Sequence, residues 1–283
     1  MKFGFLAHLV CACKSLRLFP LVFALQSVFG IAMAGQDLNS LFADKLPPGT
    51  TPLAATWIQG NIFLPASALK NGSQGHLNVF AKSDDWAQKV KDEHLKVGVR
   101  LPAVIFLHGC TGFHTGRRLV KYFLDEGFAA FAPNSFARPG REELCDKGEK
   151  DYRISLRREE LKHALSKVRE IDWVNSSRLV LAGFSEGSQA VSSWEGREFI
   201  AHVLLGTDCS WVGGSPDAPL EIPVLNLVGS NDEWGYWAGC SISDKRPKGS
   251  KRVIVPGGDH AMTNSEIPRL AIAEFLKTCC GQN

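Results

Sequence analysis

The chain has 283 residues, of which 45% are hydrophobic and 22% are charged, and its formal net charge at pH 7 is +3. That balance is ordinary for a globular protein, and the length suits one α/β domain of about 200–250 residues. Three of the 32 basic residues and none of the 29 acidic residues lie in the first 34 positions, so the rest of the chain carries no net charge. A chain without net positive charge lacks the attraction for phosphate backbones that nucleic-acid-binding proteins use. We therefore predict no nucleic-acid partner.

The first 34 residues have the pattern of a secretory signal peptide. Basic side chains at positions 2, 14 and 17 precede an apolar run that ends in Ala32-Met33-Ala34, a small-x-small cleavage pattern. The alternative is an uncleaved anchor, but Leu18–Ala34 reaches only the lower limit of about 17–25 residues for a spanning helix. We expect a signal peptide over 1–34, a single domain over 35–283, a periplasmic or secreted location, and no stable membrane insertion after cleavage.

Export would place the cysteines in an oxidising compartment, where disulfides form. Six remain after the predicted cleavage, and an even number in an oxidising compartment indicates disulfides. They are Cys110, Cys145, Cys209, Cys240, Cys279 and Cys280. The chain has no C-x-x-C pair, no H-E-x-x-H, no P-loop and no G-x-G-x-x-G pattern. We therefore predict neither a metal nor a cofactor.

Six short apolar runs end in turn-forming residues and predict strands that are buried on both faces, because their hydrophobic residues are continuous rather than alternating. They are AVIFLHG (103–109), FAAFAPN (128–134), RLVLAGFS (178–185), HVLLGTD (202–208), VLNLVGSND (224–232) and RVIVPGGDH (252–260). Two earlier runs, TWIQGNIFLP (56–65) and HLNVFAK (76–82), predict an antiparallel hairpin ahead of these strands.

A long helix is predicted at 152–171, where Ile154, Leu161, Leu165 and Val168 form one apolar face and charged side chains cover the other. Strands that alternate with helices indicate a mostly parallel sheet with helices on both faces.

Ser185 lies in the sequence GFSEG, directly after one of the apolar runs. This is the G-x-S-x-G pattern of a sharp strand-to-helix turn, which lifts the serine hydroxyl above the sheet. Gly183 and Gly187 are needed because side chains there would collide with neighbouring backbone. Ser185 is therefore the candidate nucleophile. The pattern alone is weak, and the alternative is an ordinary strand–turn–helix connection.

A serine is a poor nucleophile near neutral pH and needs a base, usually a histidine that a carboxylate orients. Asp232 and His260 each follow a late predicted strand, where the sites of open parallel sheets collect. The order Ser185, Asp232, His260 is that of the α/β hydrolases. Glu233 is an alternative acid one position away, whereas Asp259 is adjacent to His260 and badly placed to reach around its ring.

The reaction also needs hydrogen-bond donors for the oxyanion. In FLHGCTG, Gly109 allows a turn that aims the backbone N–H of Cys110, or alternatively of Thr111, at the serine. The N–H of Glu186, at the start of the following helix, is the second candidate donor; the Glu186 side chain has no predicted role. His108 is expected to hold the turn rather than to exchange protons.

These segments together resemble the dienelactone-hydrolase-like branch of the α/β-hydrolase superfamily. The resemblance runs from about Ala103 to the C-terminus and rests on FLHGCTG, APNSFARPGREELC, IDWVNSSRLVLAGFSEG, VLNLVGSND and GGDH. It implies an α/β-hydrolase fold and hydrolysis of an ester or lactone. The enzymes that name the family carry a cysteine where this chain has Ser185, which favours a general serine ester hydrolase.

In that fold the strands that end near Leu107 and Ala132 are neighbours, so a disulfide is expected between Cys110 and Cys145 in the loops that follow them. The alternative is a pair of free thiols. Cys209 and Cys240 follow two later neighbouring strands and can pair by the same logic. The vicinal Cys279 and Cys280 cannot easily bond to each other without strain.

The predicted function is hydrolysis of a small-molecule carboxylic ester or lactone through an acyl-enzyme on Ser185. The alternative is a noncatalytic binding or interaction protein that retains the fold. Four aromatic residues follow the late strands and either line the substrate pocket or pack loops: Trp211, Trp234, Tyr236 and Trp237. The sequence does not indicate which ester is cleaved or the oligomeric state.

Overall fold

The computed structural model describes residues 46, 48–78, 85–138, 141, 145 and 150–281. All of these belong to the compact unit that spans Asn39–Asn283. The predicted signal peptide and its cleavage site lie outside the described residues, so both stay predictions. Within the described part of the chain, no helix combines the length and the apolar character that crossing a membrane requires.

In chain order, the elements begin with α1 (Pro52–Ile58), β1 (Asn61–Leu64), β2 (Gly75–Asn78), α2 (Trp86–His94) and β3 (Leu101–Leu107). They continue with α3 (Gly116–Asp125), β4 (Ala129–Ala132), α4 (Lys150–Arg169), β5 (Val174–Phe184) and α5 (Glu186–Ser192). The last elements are β6 (Ala201–Leu205), β7 (Val224–Gly229), β8 (Lys251–Val255) and α6 (Ile267–Cys280). Single-turn 3₁₀ helices lie at Ala66–Ala68, Ser135–Ala137, Ser210–Val212 and Tyr236–Ala238.

The strands of the described residues form one 8-stranded sheet in the order β2-β1-β4-β3-β5-β6-β7-β8. Strands β3 to β8 run parallel to one another, while β1 pairs antiparallel with both β2 and β4. All six strands predicted from continuous apolar runs are present. The carboxyl ends of the parallel strands therefore open onto one edge, where loops can assemble a site.

Two hydrophobic clusters pack on the two faces of this sheet. On one face, Leu181 of β5 packs in a cluster with residues of α4 and α5 such as Leu161 and Val191. On the other face, Val180 packs in a cluster with residues of α3 and α6 such as Phe123 and Phe275. Burial on both faces explains the continuous apolar runs. The predicted α/β-hydrolase fold, a mostly parallel sheet with helices on both faces, is confirmed.

The start of the predicted hairpin is corrected. Thr56 to Ile58 were expected to begin a strand, but they lie in α1, which starts after Thr51 with Pro52 at its first turn. The Thr51 hydroxyl accepts a hydrogen bond from the Ala54 N–H at 3.2 Å, which caps the helix. The strand begins only after Gly60, and the antiparallel pairing of β1 with β2 is confirmed for Gly75–Asn78. Positions 79–82 of the second predicted strand lie outside the described residues.

The amphipathic interpretation of the long helix is correct in part. Ile154, Leu161, Leu165 and Val168 are buried as predicted. However, Arg157 is also fully buried, together with Glu160 on the same helix, although charged residues were expected to face solvent. A buried ion pair needs specific partners, and here they lie beside the candidate active site.

Candidate active site

Ser185 occupies a strained turn between β5 and α5. Its backbone has φ 53° and ψ −118°, a conformation that residues with a side chain rarely adopt. Its N–H donates to the carbonyl oxygen of Leu205 at 2.8 Å, which ties the turn to β6. Such outliers persist only where the surroundings enforce them, and they cluster at functional sites.

The glycines that flank this turn are required by contact with backbone. A Cβ on Gly187 would lie 2.0 Å from the carbonyl oxygen of Leu107, and a Cβ on Gly183 would lie 2.5 Å from the carbonyl carbon of Gly187. Both distances are shorter than any real Cβ contact. The collision predicted for side chains at these two positions is therefore confirmed. Because glycine has no side chain, α5 can start directly against the end of β3.

Ser188 braces the same turn from inside. Its hydroxyl accepts a hydrogen bond from the Leu205 N–H at 2.7 Å. The same oxygen lies within donating distance of the carbonyl oxygens of Gly183 and Leu205. Ser188 is fully buried, so these bonds are shielded from water and hold β5, β6 and α5 together.

Asp232 and His260 meet beside this turn. Asp232 Oδ2 lies 2.8 Å from His260 Nδ1, and both residues are buried. The second carboxylate oxygen of Asp232 accepts the Trp234 N–H at 2.8 Å. Because an ionised carboxylate only accepts, the bond to Asp232 assigns the proton of a neutral His260 to Nδ1. Nε2 is then free to accept, and among the described residues it has no hydrogen-bond partner.

Glu233, the alternative acid, has a different contact. Its Oε2 accepts a hydrogen bond from the backbone N–H of His260 at 3.1 Å and is not bonded to the imidazole ring. The two neighbouring carboxylates thus hold the ring and the main chain of the same histidine. This geometry favours Asp232 over Glu233 for orienting the imidazole.

Ser185 and His260 line a common cleft of about 160 Å³. The other lining residues are Gly109, Cys110, Thr111, Thr115, Phe184, Glu233, Trp234, Asp259 and Ala261. Asp232 lies behind His260 and does not line the cleft. Larger clefts of about 410 Å³ and 510 Å³ lie along α4, and neither includes Ser185 or His260 among its lining residues.

Aromatic rings surround His260. The ring centroids of Phe184, Tyr236 and Trp234 lie 4.9, 5.8 and 6.0 Å from that of the imidazole. Trp234 lines the cleft and is 43% exposed. Trp211, in contrast, lines the cleft of about 410 Å³ along α4. Of the four aromatic residues that the sequence suggested, Trp234 and Tyr236 are therefore the two whose rings lie beside the imidazole of His260.

The two candidate oxyanion donors lie on separate elements. Cys110 follows β3 in a tight turn closed by the Gly112 N–H, which donates to the carbonyl oxygen of Gly109 at 3.1 Å. Glu186 is the first residue of α5, where the N–H groups of a helix have no acceptor within the helix. Thr111, the alternative donor, also lines the cleft.

His108 holds the first of these turns, as predicted. Its Nε2 accepts the backbone N–H of Ser135 at 3.1 Å, which leaves the proton on Nδ1, 2.7 Å from the carbonyl oxygen of Gly109. Burial, with the charge of Arg157 as the next cause, holds the pKa of His108 well below its usual 6.5. The ring thus stays neutral and serves the structure of the turn.

Two disulfides join loops at this edge of the sheet. Cys110 is bonded to Cys145, and Cys209 is bonded to Cys240, each with Cα atoms 5.0 Å apart. Both expected pairs are confirmed. Cys279 and Cys280 are free thiols. Among the described residues, no group of three or more His, Cys, Asp or Glu side chains is placed to hold a metal ion.

Sequence reasoning missed the role of the Glu186 side chain. Its carboxylate is buried and lies among three arginines, Arg141, Arg153 and Arg157. These arginines belong to the loop before α4 and to α4 itself. The signal in the sequence was three arginines, at 153, 157 and 158, in a helix that packs on the sheet. The spacing of these arginines alone did not show which of them face the sheet.

Comparison with known proteins finds likeness in structure alone. No family model matches the chain, and no curated protein matches it. Similar solved structures include a protein named as a dienelactone hydrolase from Klebsiella pneumoniae subsp. pneumoniae MGH 78578, with 18% identity over 66% of this chain and 90% of that chain, at a TM-score of 0.45. Est1E from Butyrivibrio proteoclasticus, solved with ferulic acid bound, has 17% identity over 65% of this chain and 91% of its own, at a TM-score of 0.46.

A third similar structure is an α/β serine hydrolase homologue from Coxiella burnetii, with 16% identity over 63% of this chain and 87% of its own, at a TM-score of 0.44. At these identities the likeness concerns the fold alone. The fold is that of the α/β hydrolases. Its assignment rests on the strand order and on the helices that cover both faces of the sheet.

Proposed function

We propose that this chain is an exported serine hydrolase that cleaves a carboxylic ester or lactone with Ser185, His260 and Asp232. The observation that carries the proposal is the cleft that strained Ser185 and His260 both line. Asp232 binds Nδ1 of that histidine, while Nε2 has no partner among the described residues. A serine hydroxyl becomes nucleophilic when such a nitrogen accepts its proton.

In the first half of the proposed reaction, Ser185 Oγ attacks the ester carbonyl carbon and its proton moves to His260 Nε2. The carbonyl oxygen becomes an oxyanion, which accepts hydrogen bonds from the N–H groups of Cys110 and Glu186. As the carbonyl reforms, the bond to the alcohol oxygen breaks and His260 returns the proton to that oxygen. The acyl group is then bonded to Ser185.

In the second half, water takes the place of the alcohol. His260 Nε2 accepts a proton from the water, whose oxygen attacks the acyl carbon and forms a second oxyanion at the same two donors. The bond to Ser185 breaks, Oγ regains its proton from His260, and a carboxylic acid leaves. Asp232 stabilises the imidazolium in both halves through its bond to Nδ1. His260 thus accepts one proton and returns one proton in each half of the reaction.

The size of the cleft limits the part of a substrate that can enter it. Its volume of about 160 Å³ is well below the ~300–1,000 Å³ of typical small-molecule sites. We therefore propose that a short acyl group enters the cleft, while the alcohol part lies outside it against the exposed ring of Trp234. A flat apolar or aromatic alcohol fits such a surface best.

Export is the second part of the proposal. It is supported by the signal-like segment 1–34 and by the two disulfides, which persist in oxidising compartments. N-terminal sequencing of protein made in a secreting host is expected to start at Gly35. Recovery of intact Met1 in the membrane fraction would instead support an uncleaved anchor.

A noncatalytic binding protein with this fold remains the alternative function. A panel of esters graded in acyl and alcohol size, including lactones and aryl esters, separates the two. We expect turnover that Ser185→Ala abolishes and that Ser177→Ala, at the exposed opposite end of β5, leaves unchanged. Absence of turnover across the panel, or equal turnover by a folded Ser185→Ala variant, would overturn the proposed mechanism.

A further inference from the structure

The Glu186 carboxylate lies in a buried cluster of charges directly behind the nucleophile turn. Arg141 Nη2 donates to its Oε1, Arg153 Nη1 donates to its Oε2 at 3.2 Å, and Arg157 Nε lies 3.9 Å from Oε1. The Glu186 side chain is 3% exposed, and those of Arg141 and Arg157 are 1% and 0% exposed. Both carboxylate oxygens are thus held from fixed directions, which fixes the first residue of α5.

Arg157 extends this cluster to the other oxyanion donor. Its Nη2 donates to the carbonyl oxygen of His108 at 2.9 Å, two residues before Cys110. Its Nη1 donates to Glu160 Oε2 at 2.9 Å. One guanidinium is therefore hydrogen-bonded to the turn that carries the Cys110 N–H and lies within ion-pair distance of the residue that carries the Glu186 N–H. The planar fork of arginine suits such a bridge.

A second set of bonds closes the network around His108. Ser135 Oγ donates to Glu160 Oε1 at 2.8 Å, and the Ser135 N–H donates to His108 Nε2. The Cys110–Cys145 disulfide adds a covalent link. Since Arg141 lies four residues before Cys145, the loop bonded to Cys110 also supplies the arginine that holds Glu186.

Stability alone is a weak reason for this arrangement. Taking charged groups out of water is costly, and well-packed apolar residues of similar volume often stabilise a protein as much or more. Oxyanion stabilisation, in contrast, depends on donors held within about 0.5 Å of the position that the oxyanion occupies. The network joins the two elements whose relative placement sets that geometry.

We propose that Glu186 and Arg157, with Arg141 and Arg153, are positioning residues that fix the N–H groups of Cys110 and Glu186 relative to each other. This inference rests on the proposed function. Among the described residues, the partners of the carboxylate are arginines, so in this proposal it acts through the backbone of its own residue. The expected signature is a loss of transition-state stabilisation with little change in ground-state binding.

The test compares two variants at the cluster with a matched variant outside it. Glu186→Gln places an amide NH₂ against a guanidinium and removes the charge. Arg153→Gln removes one partner at the rim of the cluster, where the Arg153 side chain is 11% exposed and the fold tolerates the change better. Arg138→Gln is the control, because Arg138 pairs with the half-exposed Glu159 and is not among the arginines that pair with Glu186.

We expect kcat to fall roughly 10- to 100-fold in Glu186→Gln and roughly 3- to 10-fold in Arg153→Gln, since complete removal of an oxyanion donor costs about 10²- to 10³-fold. KM should change less than about threefold. An alkyl boronic acid forms a tetrahedral adduct with the serine, and its affinity should fall in step with kcat. The affinity of an amide analogue of the ester that is not cleaved and forms no bond to the serine should not fall. Arg138→Gln should stay within about twofold of the wild type in each measurement.

The inference is overturned if a folded Glu186→Gln or Arg153→Gln protein keeps wild-type kcat, or if Arg138→Gln lowers kcat as much as Arg153→Gln. Thermal melting identifies folded variants, and Arg153→Gln carries the test if Glu186→Gln does not fold. Failure of the proposed function is distinguishable, because it appears as absence of turnover in the wild type or as wild-type turnover in Ser185→Ala. An essential Ser185 together with silent cluster variants would reject the positioning role alone.

Discussion

Asp232 holds the imidazole of His260 through a 2.8 Å bond to Nδ1, while the adjacent Glu233 holds the main-chain N–H of the same histidine. Neighbouring carboxylates thus have separate tasks at one residue. The turn after β7 produces this difference, because the Trp234 N–H donates to Asp232 Oδ1 and leaves Oδ2 for the ring.

The first prediction separates these carboxylates. Asp232→Asn should lower kcat by about 10³- to 10⁴-fold, because an amide favours the wrong imidazole tautomer and cannot stabilise the imidazolium. Glu233→Gln keeps an acceptor for the His260 N–H and should cost less than about tenfold. Steady-state kinetics on one ester measures both. A larger loss in Glu233→Gln than in Asp232→Asn would reassign the acid by one position.

The second prediction concerns the nucleophile turn. In Gly187→Ala the new Cβ would lie 2.0 Å from the Leu107 carbonyl oxygen, so β3 and α5 must separate. We expect loss of at least 100-fold in kcat/KM and a lower melting temperature, since overpacking against backbone costs ~1–3 kcal/mol or more. In Gly75→Ala the nearest atom is the end of the Leu69 side chain at 3.1 Å, and activity should persist. An active, stable Gly187→Ala protein would contradict this geometry.

Part of this site follows from local sequence, and part depends on distant segments. The turn at Ser185 is predictable because it requires glycine at 183 and 187, where a side chain would collide with backbone, and these residues all lie within one five-residue motif. The choice between Asp232 and Glu233 is not, since both residues lie in the turn that follows β7 and only the conformation of that turn separates them. The role of Glu186 depends on Arg141, Arg153 and Arg157, which lie 29 to 45 positions away; hydrophobic periodicity places charged residues of α4 toward solvent and so conceals a buried ion pair.

The fold divides in the same way. Continuous apolar runs identify the central parallel strands, because burial on both faces leaves no polar alternation. The start of the first hairpin is harder to predict, because the short apolar run at 56–58 is compatible with a strand and with a helix. The cap at Thr51 and the proline after it decide for the helix.

The third prediction concerns the Cys110–Cys145 disulfide. Replacing both cysteines by serine should lower kcat by tenfold or more and cost about 2–5 kcal/mol of stability, because the turn that carries Cys110 loses its covalent link to Cys145. Replacing the free pair Cys279 and Cys280 by serine is the matched control and should leave kcat unchanged. During titration of the wild type with reductant, turnover should fall before the far-ultraviolet circular dichroism does. Simultaneous loss of both would argue that the bond serves global stability alone.

The fourth prediction concerns His202, which is fully buried in β6 and has no hydrogen-bond partner for either ring nitrogen among the described residues. Burial, followed by the charge of Arg246, lowers the pKa of His202 to about 3. The unfolded chain binds a proton below about pH 6.5 and the folded chain does not until about pH 3, so stability is full above pH 6.5 and declines as pH falls toward 3.

Replacing this histidine with leucine should flatten that decline. One pKa unit corresponds to about 1.4 kcal/mol, so denaturant unfolding at pH 7 and at pH 4 resolves the effect. His202→Leu is expected to lose less stability between these two pH values than the wild type does. His114→Leu, at an exposed position, should retain the wild-type decline. Equal declines in His202→Leu and the wild type would contradict the assignment.

The central claim is that Ser185 is a nucleophile activated by His260, and covalent labelling tests it most directly. Wild-type protein treated with a fluorophosphonate should gain one adduct, which peptide mass spectrometry should locate on Ser185. Ser185→Ala should not label, and His260→Ala should label at least 100-fold more slowly while its melting temperature stays near that of the wild type. A folded wild-type protein that does not label, or that carries the adduct at another residue, would contradict the account.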